Sequence, residues 1–309
     1  MSEDEQKRLA RLESNLKRRA LIYEFIRDFF KEQGFLEVET PIRAPAIAPE
    51  PFIVPFESEG WFLAASPELH MKRLLAAGYH KIFQFSHCFR KGERGRWHNP
   101  EFIMLEWYRQ GADYMEIIRD TEKLVTGIAQ KLGMKNKIKY RGQEIDVSLP
   151  WPRVTVKDAY TKAADWDPVA VNDTERFDMD FVEKVLPRFN KDRPTVLIDY
   201  PASQASLARL KVNNPLVAER AEVFIGGLEL ANAYSELADA KEQAKRFREE
   251  IAQIKRERKQ QMAMPEKFLE AMVNLSECGG IALGIDRLVM LFCDAASIDD
   301  VTAFTEDTV

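Results

Sequence analysis

The chain has 309 residues, of which 45% are hydrophobic and 31% charged, which is enough apolar material for one large α/β or α+β core under a polar surface. Its formal net charge of −5 argues against a protein whose main task is to neutralise nucleic-acid phosphates. The three cysteines, Cys88, Cys278 and Cys293, are widely spaced, so neither disulfides nor a zinc site is expected. No apolar run is long enough for a membrane span, and the first residues do not resemble a signal peptide. We therefore expect a cytoplasmic protein.

Apolar periodicity and helix-terminating residues define the predicted elements in chain order. The predicted helices cover residues 8–33, 67–77, 113–132, 155–164, 179–189 and 239–262. The predicted strands are one within 34–45 that Pro41 closes, the two arms of a hairpin within 83–109, 144–150, 195–202, a second hairpin around Gly226 and Gly227, and 279–284. Because most strands arrive as hairpins with helices between them, the expected fold is α+β, with an antiparallel or mixed sheet flanked by helices.

The hairpin sequence "FRKGERGRWHNPEFIMLEWYR" (89–109) concentrates arginines, glutamates and aromatic residues. Period-two alternation places Arg90, Phe102, Glu106 and Tyr108 on one face. Arginine suits phosphate, phenylalanine can stack on a base, and a glutamate with a tyrosine hydroxyl can hold an ammonium group. The sequence therefore predicts a nucleotide and a small cation bound side by side. The alternative is an amphipathic hairpin with surface ion pairs.

Two later segments carry further candidate residues. In 227–243, Glu229 and Glu236 could hold Mg²⁺ if the strand bulges between them, or they could be unrelated surface glutamates. In "GGIALGIDRLV" (279–289), Arg287 lies where a glycine-rich strand enters a helix, a position that favours phosphate. Ordinary tight packing is the alternative explanation for these glycines.

Together these segments resemble the catalytic domain of class II aminoacyl-tRNA synthetases, specifically the lysyl branch. "GFLEVETP" is similar to motif 1, "FRKGERGRWHNPEFIMLEWY" to motif 2 and "GGIALGIDRLVML" to motif 3. "SPELHMKRLL" and "GLELANAYSELADAKEQ" are similar to lysyl-enzyme signatures. The resemblance covers about residues 15–309 and implies the class II fold, an antiparallel sheet flanked by helices.

The organisation of the chain narrows the resemblance. Only about thirty residues precede motif 1, too few for the anticodon-binding barrel of lysyl-tRNA synthetases, so residues 1–309 are expected to form a single catalytic domain. Residues 1–14 would be a flexible or helical extension. The similarity is greatest to the stand-alone family that ligates (R)-β-lysine to elongation factor P. Ala282, where the tRNA-charging enzymes usually have glycine, fits a changed amino-acid specificity.

The resemblance implies a role for each matching residue. Arg90 and Arg287 would be the catalytic residues and would bind ATP phosphates. The other ATP-binding residues would be Glu93, His98, Phe102, Glu229 and Glu236, the two last also holding Mg²⁺. The amino-acid substrate would be bound by Ser66, Glu68, Glu106, Tyr108, Asn232 and Ala282. The implied partners are lysine or β-lysine, elongation factor P and a second copy of the chain, without a membrane or stable tRNA binding.

The sequence also departs from the family pattern. Gly92 stands where motif 2 usually has glutamate, which leaves Glu93 as the acidic residue, and Trp97 replaces a loop arginine. The glutamate expected before motif 3 for ε-ammonium recognition has only Glu270 nearby, out of register. A truncated lysyl-tRNA synthetase, a ligase for another acceptor and an inactive regulatory paralogue therefore remain alternatives.

Overall fold

The computed structural model describes residues 3–258 and 260–309. Its helices are α1 Glu3–Glu32, α2 Glu68–Ala76, α3 Tyr114–Lys131, α4 Val156–Ala164, α5 Thr174–Asp180, α6 Ala240–Arg258, α7 Glu266–Met272 and α8 Ile285–Cys293. Its strands are β1 Leu36–Glu37, β2 Arg43–Ala44, β3 Glu57–Ser58, β4 Trp61–Leu63, β5 Lys81–Phe89, β6 Glu101–Gln110, β7 Lys137–Tyr140, β8 Gln143–Asp146, β9 Arg153–Thr155, β10 Thr195–Pro201, β11 Leu210–Lys211, β12 Asn214–Ile225, β13 Leu228–Ser235 and β14 Cys278–Gly284.

A nine-stranded sheet organises the described residues. Its strand order is β1-β5-β6-β14-β13-β12-β10-β9, with β11 paired to β12. The two outermost pairs are parallel and the remaining pairs are antiparallel. The expected α+β fold with an antiparallel-dominated sheet is therefore confirmed.

The largest core lies between one face of this sheet and the helices α1, α3 and α8. Leu105 and Trp107 on β6 are fully buried there, on the face that strand alternation predicted to be core. They pack with Phe30 of α1 and with the buried stripes of α3 and α8. Because the helices cover this face, the alternate side chains of the same strands project to the opposite face, where the candidate site lies.

Several elements follow directly from local sequence. Asp113 caps α3 through a capping box with Glu116, as a helix starting near residue 113 requires. The helix α1 begins at Glu3, so the described part of the N-terminal extension is helical. Within 3–258 and 260–309, no helix combines the length and apolar character that crossing a membrane demands.

Element boundaries differ from expectation at several places, for example in the predicted helix 179–189, where α5 already ends at Asp180. The strand predicted in 34–45 and closed by Pro41 is shorter than expected: only β1 lies before that proline, and β2, after it, belongs to a different sheet. Pro41 and Pro45 remove backbone donors from the segment, which prevents a longer ladder. The helix predicted over 239–262 ends at Arg258, whose guanidinium donates to the carbonyls of Glu50 and Ile53. Residue 259 lies outside the described residues.

Candidate active site

The face of the sheet opposite the main core carries two rows of functional side chains. The first row consists, in strand order, of Glu106, Ala282, Asn232 and Glu222. The second row consists of Tyr108, Gly280, Tyr234 and Arg220. Paired positions on neighbouring strands project to the same side, so the register of β6, β14, β13 and β12 brings these residues together.

A single cavity lies over these rows and contains almost all the predicted site residues. The predicted residues that line it are Ser66, Glu68, Arg90, Glu93, His98, Phe102, Glu106, Tyr108, Glu229, Asn232, Ala282 and Arg287. Arg90 and Arg287 come from distant parts of the chain and share this cavity. Glu236 is the one predicted site residue that does not line it.

At one end of the cavity, Arg287 is held by three groups. Its Nη1 donates to the Glu229 carbonyl at 2.7 Å and its Nε to the Trp97 carbonyl at 3.3 Å. Its Nη2 lies 2.6 Å from Nε2 of His98. Partial burial and the adjacent guanidinium lower the pKa of His98, so the neutral imidazole can accept this hydrogen bond. The arrangement fixes a cation at the first turn of α8.

Arg90 extends over the same cavity from the end of β5. Its guanidinium carbon lies 5.2 Å from the centre of the Phe102 ring, and its Nη1 lies 3.8 Å from a carboxylate oxygen of Glu93. The cation is therefore positioned by an aromatic face and a carboxylate. A flat aromatic ring next to two guanidinium groups can accommodate a nucleotide base and its phosphates.

The opposite end of the cavity is built around a buried carboxylate. Glu106 is 1% exposed, and its two oxygens accept hydrogen bonds from Ser66 and Tyr108, each at 2.7 Å. Burial, reinforced by the charge of Glu68, raises the pKa of Glu106 to about 8. The lining of this end of the cavity carries two carboxylates, those of Glu68 and Glu106, and can bind an ammonium group.

The structure does not form the predicted Glu229–Glu236 pair. Strand β13 does bulge against β12, between the positions paired with Val223 and Phe224. Seven residues of strand nevertheless span about 20 Å, so the two carboxylates lie at different ends of the site. Glu236 is 1% exposed and its Oε2 lies 2.5 Å from the ammonium group of Lys72. Glu236 is thus engaged by Lys72 and does not line the cavity, and its contact with ATP and Mg²⁺ stays a prediction.

Glu222 is the acidic residue that accompanies Glu229. It lies on β12 next to the bulge. Burial is the main cause that raises the pKa of Glu229, and the negative charge of Glu222 is the second. Arg220 and Asn232 both donate to Glu222 Oε1, at 2.5 and 3.3 Å. No group of three or more His, Cys, Asp or Glu residues within 3–258 and 260–309 is arranged to hold a metal. Two carboxylates completed by phosphate oxygens are compatible with Mg²⁺.

Sequence reasoning missed Glu222, Arg220 and Lys72. Glu222 and Arg220 stand two residues apart in the strand sequence "AERAEVFI", a spacing that places two charged side chains on one face. Lys72 carried no such signal, because helical periodicity cannot show that a lysine is buried. Glu270, considered as an ammonium ligand, lies instead in a separate surface groove with His70 and Arg73.

Comparison with known proteins assigns this architecture to a class. A family model described as tRNA synthetases class II (D, K and N) matches residues 6–308, and the chain belongs to that family. Among individual relatives, the chain is 40% identical to an elongation factor P–(R)-β-lysine ligase from Salmonella paratyphi B. It is 41% identical to a ligase of the same name from Salmonella dublin. Each alignment spans 315 positions and covers 95% of both chains.

Proposed function

We propose that this protein uses ATP to activate (R)-β-lysine or lysine as an aminoacyl-adenylate and transfers the aminoacyl group to a lysine of elongation factor P. The observation that carries the proposal is one cavity with two fixed guanidinium groups at one end and buried carboxylates at the other. The ligase name of the 40% identical relatives supports the acceptor.

The first step joins the two substrates. A carboxylate oxygen of the amino acid attacks the α-phosphorus of ATP, and the bond to pyrophosphate breaks. Arg90 and Arg287 stabilise the negative charge that builds up on the phosphate oxygens, and Phe102 supports the adenine. Catalysis comes from holding both reactants in line, so the proposed step requires no protein nucleophile.

The second step transfers the aminoacyl group. The neutral ε-amine of the acceptor lysine attacks the adenylate carbonyl, an amide bond forms, AMP leaves and the amine loses a proton. A groove between the 49–53 loop, residues 202–206 and α6 adjoins the cavity and shares Glu50, Asn232 and Tyr234 with it. Its lining includes Glu249 and Glu250, which suit an approaching cationic side chain. We assign this groove as the approach route of the acceptor.

A magnesium ion fits the nucleotide end of the cavity. Glu229, which lines the cavity, would help to hold it together with the phosphate oxygens of ATP. When bound, the ion would neutralise phosphate charge and favour departure of pyrophosphate. A cytoplasmic homodimer without stable tRNA binding completes the proposal. The exposed apolar side chains of Leu36 and Ile42, in the segment that resembles motif 1, support pairing of two copies there.

The two-step reaction can be tested on purified protein. With ATP and (R)-β-lysine, we expect pyrophosphate exchange, and on addition of elongation factor P, mass spectrometry should show one lysine-containing peptide heavier by one lysyl residue. Glycine, which has no side-chain ammonium group, is the matched amino-acid control and should give no exchange. Charging of tRNA at the rate of exchange would contradict the acceptor, and absence of exchange with both lysines would contradict adenylation.

The raised pKa of Glu106 predicts a pH dependence for amino-acid use. The ionised carboxylate binds the substrate ammonium, and this form becomes populated as pH rises through the pKa of about 8. We therefore expect kcat/KM for the amino acid in pyrophosphate exchange to rise between pH 6 and 8. The matched measurement is kcat/KM for ATP at saturating amino acid. It should lack this rise, because the Glu106 carboxylate is then already paired with the ammonium group of the bound amino acid. A flat amino-acid profile would contradict the assignment of Glu106.

A further inference from the structure

Lys72 is a buried cation that lies behind the amino-acid end of the cavity. Its side chain is fully buried, and its ammonium lies 2.5 Å from Glu68 Oε1 and 2.5 Å from Glu236 Oε2. Glu68 lines the cavity, whereas Lys72 and Glu236 do not. Lys72 therefore touches the substrate space only through the carboxylate that it holds.

The backbone is shaped to admit this ion pair. A side chain on Gly280 would place its Cβ 2.3 Å from Glu236 Oε1 and 2.3 Å from the Tyr108 ring. Only glycine at position 280 leaves room for the Glu236 carboxylate to lie beneath Tyr108, beside the Glu106 hydrogen bond. The Lys72–Glu236 ion pair is consequently packed beneath the residues that line the amino-acid site, and it is a buried ion pair rather than a surface salt bridge.

The charges at this end of the site form a matched set. Glu68 and Glu236 pair with the Lys72 ammonium and Glu106 adds a third carboxylate at this end of the site, so the fully ionised group of four carries two negative charges. The charges of Glu68 and Glu236 contribute to the raised pKa of Glu106, and Lys72 opposes the rise in the pKa of Glu236 that burial causes. An amino acid with two ammonium groups supplies the two positive charges that remain to be provided.

We propose that Lys72 is a positioning residue for diamino-acid recognition. It fixes the Glu68 and Glu236 carboxylates, and its positive charge limits the net charge of the ionised site to the two negative charges that two substrate ammonium groups neutralise. The inference rests on the proposed function, because it assumes that the substrate occupies this end of the cavity. Without Lys72, no cation separates the buried Glu68 and Glu236 carboxylates, which then repel each other, and Glu68 loses the contact that holds it at the cavity wall. The ionisable groups that interact electrostatically with Lys72 or its two partners are Glu50, Glu106, Tyr108, Tyr234, Glu250 and Cys278.

The test compares Lys72→Met with the double variant Lys72→Met/Glu236→Gln in pyrophosphate exchange. Lys72→Met should raise KM for (R)-β-lysine by about tenfold, one decade corresponding to about 1.4 kcal/mol, with KM for ATP within twofold of the original. Its amino-acid kcat/KM should also rise at higher pH than that of the original protein. The double variant again carries two negative charges, from Glu68 and Glu106, and should recover most of the KM and the original pH profile.

The outcomes separate this inference from the proposed function. The role of Lys72 would be overturned if Lys72→Met left KM and the pH profile unchanged, or if the double variant were no better than the single variant. Neither result would affect the proposed function as long as the original protein shows exchange. An equal rise in KM for ATP would indicate general damage to the fold and would also overturn it. If the original protein exchanges with neither β-lysine nor lysine, the proposed function fails and the inference fails with it.

Discussion

Replacing Arg287 by alanine should lower kcat/KM for ATP–pyrophosphate exchange by about a thousandfold, equivalent to about 4 kcal/mol of transition-state stabilisation. The guanidinium is fixed by the carbonyls of Glu229 and Trp97 before any substrate arrives. It therefore requires little reorganisation when negative charge develops on the phosphates. Because this interaction strengthens in the transition state, most of the loss should appear in kcat rather than in KM for the amino acid.

Two control variants make this result specific. Arg119 on α3 is 54% exposed and pairs weakly with Glu116 outside the cavity, so Arg119→Ala should leave exchange within twofold of the original. Arg287→Lys keeps a positive charge but loses the forked donor geometry, and we expect it to recover only part of the activity. An Arg287→Ala protein with normal exchange would show that adenylation does not occur in this cavity.

The elements that position the site follow from local sequence to a large degree. Alternation along β6 predicted that Phe102, Glu106 and Tyr108 share a face, and the structure places all three in the cavity. The strand-to-helix junction predicted the location of Arg287 equally well. In both cases the relevant geometry spans only a few residues, over which the period of a strand or the start of a helix decides where a side chain projects.

The partners of the acidic residues could not be predicted in the same way. Which residue of β12 lies opposite Glu229 depends on the register of β13 against β12, and a bulge changes that register by one residue. The burial of Lys72 depends on α2 packing over strands from the other end of the chain. Such contacts are decided by tertiary packing, and neither propensity nor periodicity contains them.

Ala282 occupies the position from which amino-acid specificity can be changed most directly. In the sheet register it lies between Glu106 on one side and Asn232 on the other, and it lines the cavity. Its methyl group therefore projects between the Glu106 carboxylate, proposed to bind an ammonium group, and the Asn232 amide, predicted to bind the amino acid. Removing the methyl group would enlarge the space that separates these two contacts.

Substituting Ala282 by glycine should change the ratio of kcat/KM for (R)-β-lysine to that for lysine by about 30-fold, in favour of lysine. One methyl group in a binding pocket is worth about 1–3 kcal/mol of discrimination, which corresponds to about 10- to 200-fold. The two substrates differ in the placement of one amino group relative to the carboxylate, so the added space should affect them unequally. The ratio is measured by pyrophosphate exchange with each amino acid under the same conditions.

The matched control for this substitution is Ala233→Gly on the adjacent strand. Ala233 is fully buried and belongs to the main core on the opposite face of the sheet. Losing its methyl group removes about the same volume and adds the same backbone freedom, so it should reduce stability without changing the ratio of the two substrates. Equal ratios in Ala282→Gly and the original protein would mean that the methyl group at 282 does not contact the bound amino acid. A changed ratio in both variants would instead trace the effect to loosening of the sheet.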